Sequence, residues 1–508
     1  MLSKTTILAL GALFSISIAA STLFSNGTII AFDEATESLN VIRSGSVLVE
    51  NDRITAVVSG LYTESLPNGT EVIDVQGDIV STGMVDTHRH LWQSAYKTIS
   101  SNTSLMEYLV RMSPTSQAID IYTPDDIYIG EIVGIYEALN GGTTTIVDHA
   151  HAQWTTNHSD ASLAAAIDSG GRVYWSYSFL DFSTLGDGAA SFEDQVALYR
   201  RHETRNIQKD SPTTLAIAYD TFYQENTEQT SVVLELATEY NVSLLSVHSG
   251  LQPWGLDNLP KDFHSVGFLN QSIPIVFAHA SHLTATDASL LRQYNHYVSI
   301  TPESEMHFGH DHPDSHLILD QSSLGVDAAW TYSGDILTQA RLWLQTTRRT
   351  FYREIVNRWH VPTTNPMSVN QAYLLATRNG GLALRRPDIG ILAVGAKADV
   401  VVWSGTSPSM LGWDDPIAAI ILHASVGDVK HVMVDGKIKK RDFSLVDENY
   451  GEIKQQFLAS AKKIQTFFKA MPPTTFEGVH SNGMPYEETL QADVHRGEGT
   501  GYGPQHLS

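Results

Sequence analysis

The chain contains no cysteine, which excludes disulfides, thiolate metal sites and cysteine nucleophiles together. Any metal must be held by His, Asp or Glu. Positive charge is also scarce: 32 Lys and Arg stand against 56 Asp and Glu in 508 residues, a formal net charge of -24. Such a surface repels nucleic acids and anionic membranes. The expected partner is therefore a small molecule, with no nucleic acid and no stable membrane association. The apolar run from Ile7 to Ile18 is too short for a comfortable membrane span. With Lys4 before it and Ala19 and Ala20 after it, residues 1–20 read as a signal peptide. Sequons at Asn26, Asn68, Asn102, Asn157, Asn241 and Asn270 agree with a secretory route, so a secreted or lumenal glycoprotein is expected.

An apolar content of 42% over this length supports one large domain and a smaller accessory one. Between residues 21 and 80, alternating stretches such as Gly45-Ser46-Val47-Leu48-Val49-Glu50 read as short strands. The texture returns in Asp399-Val400-Val401-Val402-Trp403 and His431-Val432-Met433-Val434, which predicts one small β-sandwich built from residues 21–80 and 388–445. The middle, residues 81–387, alternates β-branched runs with amphipathic windows, the pattern of a parallel α/β sheet or barrel. Strands are expected over residues 143–149, 172–179, 215–220, 243–248, 274–279, 297–301 and 323–327, with a first one ending near His88. Helices are expected over 125–140, 231–240, 285–294 and 335–347. Residues 446–508 read as a surface helix, over 452–469, and a loosely held tail.

Gly83-Met84-Val85-Asp86-Thr87-His88-Arg89-His90 sets two histidines two apart at the end of the first strand of that middle region. Alternate residues share a face, so both imidazoles can point at one ion. A His-x-His pair alone carries little weight among 21 histidines. Its context carries more: His248, His279 and Asp327 also fall at strand ends, where barrel enzymes assemble their sites.

This order, together with Gly142-Thr143-Thr144-Thr145, Leu324-Gly325-Val326-Asp327 and the segment from Gly390 to Asp399, resembles the amidohydrolase superfamily and within it the cytosine deaminase and chlorohydrolase-like branch. The resemblance implies an α/β fold, a distorted (β/α)8 TIM barrel followed by the sandwich. It implies a mononuclear metal-dependent hydrolase that cleaves a non-peptide C–N bond of a small heterocyclic or amide-containing molecule, in a chain that often forms homo-oligomers. Binuclear members carry a lysine after strand four, and Leu215-Ala216-Ile217-Ala218-Tyr219-Asp220 contains none. One metal per subunit is thus implied, held by His88, His90, His248 and Asp327. Zinc suits this set, and iron or manganese would also fit.

In that scheme Asp327 takes the proton of a metal-activated water and His279 bonds the attacking oxygen. Ring deaminases of the family usually place a glutamate three residues after the strand-five histidine, and here that residue is Leu251. The stretch after strand seven, from Thr301 to His310, is expected to be a loop. It offers Glu303, Glu305, His307 and His310, and Glu303 or Glu305 is the expected substrate-facing acid. Trp92, Gln93, His282 and His307 are expected against the substrate, and His149 and His151 behind the metal ligands. The missing glutamate leaves a second reading open, a metal-dependent decarboxylase or lyase, or a C–C or amide-cleaving enzyme of secondary metabolism. A metal-free scaffold on the same fold is the third.

Overall fold

The computed structural model describes residues 21–186, 188–205, 211–222, 227–312, 315–489 and 492; the expected leader lies outside them. Five strands come first: β1 (Ser21–Asp33), β2 (Ser38–Glu50), β3 (Arg53–Ser59), β4 (Glu71–Asp74) and β5 (Ile79–Thr82). Eight more follow: β6 (Met84–Arg89), β7 (Thr143–Ala150), β8 (Arg172–Phe179), β9 (Thr214–Tyr219), β10 (Leu245–Ser249), β11 (Ile275–His279), β12 (Tyr297–Ile300) and β13 (Ser322–Leu324). These eight pair in sequence order, parallel throughout. Every residue of β7 and β8 is buried, as expected of parallel strands with both faces covered.

The segment after β13 nearly closes the barrel. Val326 and Asp327 both donate their amide N–H to the His88 carbonyl (3.1 and 2.8 Å), and the His90 amide donates to the Asp327 carbonyl (3.1 Å). The first and last active-site segments are thereby joined.

Four strands complete the chain: β14 (Val400–Trp403), β15 (Val429–Val434), β16 (Lys437–Arg441) and β17 (Ser444–Leu445). β14 pairs antiparallel with β5, Thr82 opposite Val400 and Ile79 opposite Trp403. Both ends of the chain do meet, but in one nine-stranded mixed sheet and not in two separate ones. Its apolar residues share a core of Phe24, Ile29, Val47, Ile54, Val400 and Val402.

Helix Ala285–Tyr294 has the expected bounds. Helix Ile336–Val356 runs nine residues past its expected end, because residues 348–356 contain neither Gly nor Pro to stop it. The expected loop after β12 begins with helix Pro302–Phe308. The expected surface helix, Tyr450–Ala470, buries Ala461, Ile464 and Phe468 beside Trp92 and Tyr96. The tail is also partly held: Asn482 donates to the Pro253 carbonyl (3.0 Å), and a ring nitrogen of His480 bonds the Trp254 carbonyl (3.3 Å). No helix among the described residues is long and apolar enough to cross a membrane.

Arg172 on β8 ties the barrel to the sheet through Asp399 and Asp435. A second tie runs through Asp388, which accepts two bonds from Arg386 (2.8 and 3.0 Å) and one from Arg53 on β3 (2.8 Å). Burial pushes the Asp388 carboxyl up, but Arg386 and then Arg53 outweigh it and hold it at about 2. A folded value below the unfolded one, about 3.9, gives stability that is complete above the unfolded value and is lost as pH falls through the folded one. Asp388→Asn is expected to cost roughly 1 kcal/mol at pH 7, since the cluster is partly exposed and screened. Urea unfolding should show the gap to wild type narrowing between about pH 4 and pH 2; an equal gap at pH 7 and pH 2.5 would show that the carboxylate charge is not what matters.

Candidate metal centre

His88 and His90 project from the end of β6, His248 from β10, and Asp327 from the turn after β13. One ligand atom from each lies within 4.8 Å of all the others. His90 Nε2 stands 3.0 Å from Asp327 Oδ1 and 3.2 Å from His248 Nε2, and His88 Nε2 stands 3.5 Å from Asp327 Oδ1. Ligands about 2.0–2.1 Å from a tetrahedral zinc are separated by roughly 3.3 Å, so these separations match one ion between them. His88 makes the same point by its isolation. It is fully buried, and neither ring nitrogen has a hydrogen-bond partner. Burial holds its imidazole well below the ordinary value, against the pull of Asp327, which leaves the neutral form that binds metal.

Each remaining ligand is oriented from behind. His90 Nδ1 donates to the His149 carbonyl (3.0 Å), turning Nε2 toward the centre. His248 Nδ1 donates to Asp220 Oδ2 (2.8 Å), while Asp220 Oδ1 takes the His248 amide (2.8 Å). His149 Nε2 reaches the same Oδ2 at 3.1 Å. Burial would raise the Asp220 carboxyl, but His248 and His149 outweigh it and hold it well below the usual range. A carboxylate behind a ligating histidine fixes its tautomer and raises its basicity. Asp327 Oδ2 accepts from Ser304 and from the Tyr332 hydroxyl (3.1 Å), leaving Oδ1 for the metal side.

His279 stands beside the ligands, its ring centroid 5.3 Å from that of His88. Its Nδ1 bonds Thr301 Oγ1 at 2.9 Å and lies 3.4 Å from Glu305 Oε1. Glu305 Oε2 is 2.6 Å from His312 Nε2. Burial would raise the Glu305 carboxyl, but His312 and His279 pull it well below the ordinary value. Both His279 and Asp327 adopt left-handed backbone, at φ 65° and 66°, a conformation costing about 1–3 kcal/mol that persists only where the surroundings impose it. The Asp86 carboxylate helps impose it at Asp327: Oδ1 takes the amides of Val326 (3.1 Å) and His88 (3.3 Å). Gly325 does so by absence, since a methyl there would come within 2.7 Å of Ser299 Oγ and 2.9 Å of the His88 carbonyl.

The centre floors a cavity of about 330 Å³. His90, His248, His279 and Asp327 line it, as do Asp220, His151 and His310. The other expected site residues are placed elsewhere. Glu303 turns to the Ser333 amide (3.1 Å), the Ser333 hydroxyl and Gln339 Nε2 (3.2 Å). Glu305 lies behind His279. Trp92 is buried, and its Nε1 donates to His151 Nδ1 (2.7 Å); His151 in turn stacks on His90 at 4.1 Å. Gln93 is buried between Tyr108 and Trp330, which do line the cavity. A ring nitrogen of His307 bonds the Thr103 carbonyl (3.2 Å), and His282 is not in the lining. Asp220, Ser304 and Tyr332 were not anticipated. Of these, only Asp220 carried a signal, as a carboxylate closing the fourth strand.

A sequence profile described as "Amidohydrolase family" matches residues 79–439, more than half of the chain. The chain belongs to the amidohydrolase family. Among curated relatives, this amidohydrolase is 24% identical over 430 residues to the 5-methylthioadenosine/S-adenosylhomocysteine deaminase of Thermococcus kodakarensis, covering 82% of this chain and 93% of the relative. It is 25% identical over 420 residues to the 5'-deoxyadenosine deaminase of Methanobrevibacter smithii, covering 80% and 90%. Its fold matches the atrazine chlorohydrolase TrzN from Arthrobacter aurescens TC1 complexed with zinc, at TM-score 0.74 and 20% identity over 87% of this chain and 100% of that one. The adenosine deaminase from Xanthomonas campestris with bound zinc follows the same fold, at TM-score 0.73 and 19% identity over 88% and 99%. A family member with three imidazoles and one carboxylate around a single point has the donor set for one zinc ion.

Asp220→Ala is expected to leave the fold intact and to weaken zinc binding by about 10–100-fold, measured by chelator competition. An unchanged affinity would remove Asp220 from the support of His248.

Proposed function

We propose that this amidohydrolase uses water to cleave a non-peptide C–N bond in a small heterocyclic or amide-bearing molecule at one metal held by His88, His90, His248 and Asp327. The observation that carries this reading is the convergence of those four side chains on one point, with His279 beside them in the same cavity. When bound, a zinc ion there supplies a water acidified toward neutrality and a positive centre for developing negative charge.

The chain's own groups do the rest. Asp327 is fixed by Ser304 and Tyr332 at Oδ2, so the carboxylate that receives the water's proton does not rotate away. With Nδ1 engaged by Thr301, His279 presents Nε2 to the attacking oxygen. Glu305, with Oε1 bonded to Thr301 and His279 and Oε2 in an ion-pair contact with His312, is a positioning residue that sets the His279 tautomer. Tyr108, Trp330, Leu251 and Phe308 wall the cavity and keep bulk water from the reacting atoms.

A secretory route is part of the proposal. It rests on the leader-like residues 1–20, and on the exposure of five sequon asparagines: Asn68, Asn102, Asn157, Asn241 and Asn270. Asn26 is half-buried.

The zinc-loaded protein should release ammonia or an amine from its substrate without carbon dioxide. Asp327→Asn is expected to lower kcat/KM by about 10³-fold or more. Glu303→Gln should stay within about twofold, whereas Glu305→Gln should lower kcat by about tenfold and shift its pH profile. Carbon dioxide in place of ammonia would favour the decarboxylase reading, and equal losses in the two Glu variants would contradict the placement of Glu305 behind His279.

A further inference from the structure

The cavity over the metal centre is unusual in what its wall omits. Among the described residues, no Arg, Lys or Glu lines it. Its two carboxylates are committed, Asp327 to the metal centre and Asp220 to His248 and His149. Its other polar groups are largely engaged by the protein: the Tyr108 hydroxyl by Gln93, the Ser113 hydroxyl by the Leu109 carbonyl and His151 Nδ1 by Trp92. The remaining wall is apolar. On one side Leu251 and Leu256 face each other across a short antiparallel bridge, which the tail braces through Trp254 and Pro253. On the other stand Tyr108, Phe308 and Trp330, with Tyr108 stacked on Trp330 at 5.3 Å.

One lining group stands out from this pattern. His310 is 4% exposed, and its Nδ1 has no hydrogen-bond partner. Its ring lies 5.0 Å from His279 and 5.5 Å from Trp254, so it sits between the reacting histidine and the Leu251 loop. Burial pushes its imidazole down to about 3, further lowered by His279, so the ring is neutral at working pH. A buried polar atom without a partner is costly unless a ligand or ordered water completes it.

We propose that the cavity is built for a compact, uncharged aromatic or heteroaromatic molecule, and that His310 fixes its orientation by a hydrogen bond to the molecule's polar edge. This rests on the reading of the site as a hydrolase centre and adds its substrate class. A space of about 330 Å³ is at the small end for ligand pockets and holds one or two rings with a short apolar arm. A carboxylate or ammonium arm held away from the metal would find no uncommitted counter-ion among the described lining residues, which is strongly unfavourable. The S-adenosylhomocysteine named for the Thermococcus kodakarensis relative carries such an arm. The buried Leu251 puts hydrocarbon in the same wall, where a ring fits and a solvated charge does not.

The test is calorimetric binding to the full, zinc-loaded chain. Neutral N-alkyl aminopyrimidines and acetanilides are compared with their carboxylated counterparts and with S-adenosylhomocysteine. Neutral members should bind at least tenfold tighter than the carboxylated ones. His310→Ala should weaken the neutral members about tenfold, while His310→Asn, which keeps a neutral donor and acceptor near the Nδ1 position, restores most of the loss. Leu251→Lys should reverse the ranking toward carboxylated members. Tighter binding of S-adenosylhomocysteine, failure of every neutral member to bind, or indifference of the neutral members to His310→Ala would overturn the proposal. The wild-type ranking decides the substrate class even if a variant fails to fold. If neutral members bind through His310 and yet no C–N bond is broken, the hydrolase reading fails and the binding specificity stands.

Discussion

The site depends on one constraint: several lone pairs must converge on a point inside a protein that cannot leave them uncompensated. His88 expresses it most sharply, as a fully buried imidazole with both nitrogens unpartnered. Every neighbouring element is arranged to keep that convergence and prevent collapse into ordinary hydrogen bonds. The outer nitrogens of His90 and His248 are bonded away from the centre, to the His149 carbonyl and to Asp220. The outer oxygen of Asp327 is bonded to Ser304 and Tyr332. What remains inward is three imidazole nitrogens and one carboxylate oxygen.

Barrel closure and site assembly are the same event. The bonds that join β6 to the turn after β13 run between the backbones of His88, His90 and Asp327, so the seam of the barrel is made of ligand residues. The left-handed conformation of Asp327 is tolerated because two amide bonds to the His88 carbonyl, the Asp86 carboxylate and the close approach at Gly325 leave no alternative path. This gives Leu324-Gly325-Val326-Asp327 a physical meaning: glycine for contact with the neighbouring strand, then the ligand on strained backbone.

The barrel strands and the four ligands were legible because both follow short-range rules, β-branched runs that end in polar residues and alternation that sets His88 and His90 on one face. What could not be read was direction within the stretch after β12. Taken as a loop, Glu303 and Glu305 looked equally able to meet substrate. As helix Pro302–Phe308, successive residues turn by about 100°, so Glu303, Ser304 and Glu305 point to Ser333, Asp327 and His279 respectively. The expected roles of Trp92 and Gln93 failed for a related reason. Both are adjacent to His90 in sequence, yet they are buried and act on the cavity through His151, Tyr108 and Trp330. Asp220 follows β9, a strand without lysine, and its pairing with His248 is a contact between neighbouring strands that no local pattern encodes.

Leu251 then changes how protons move on the proposed reaction path. With no glutamate three residues after His248, and with Glu305 held behind His279, no free carboxylic acid among the described residues faces the ring from the β10 side. A proton taken from water passes to Asp327, or to His279, whose far nitrogen is backed by Thr301, Glu305 and His312 in sequence. His310 does not replace the missing acid, because an imidazole held at about 3 is unprotonated at neutral pH and serves as a hydrogen-bonding partner only. The leaving nitrogen must therefore collect its proton from the Asp327 and His279 side, the side on which the water was deprotonated. That favours substrates in which the attacked carbon and the departing nitrogen both lie close to the metal, and it disfavours rings that require protonation at a distant edge.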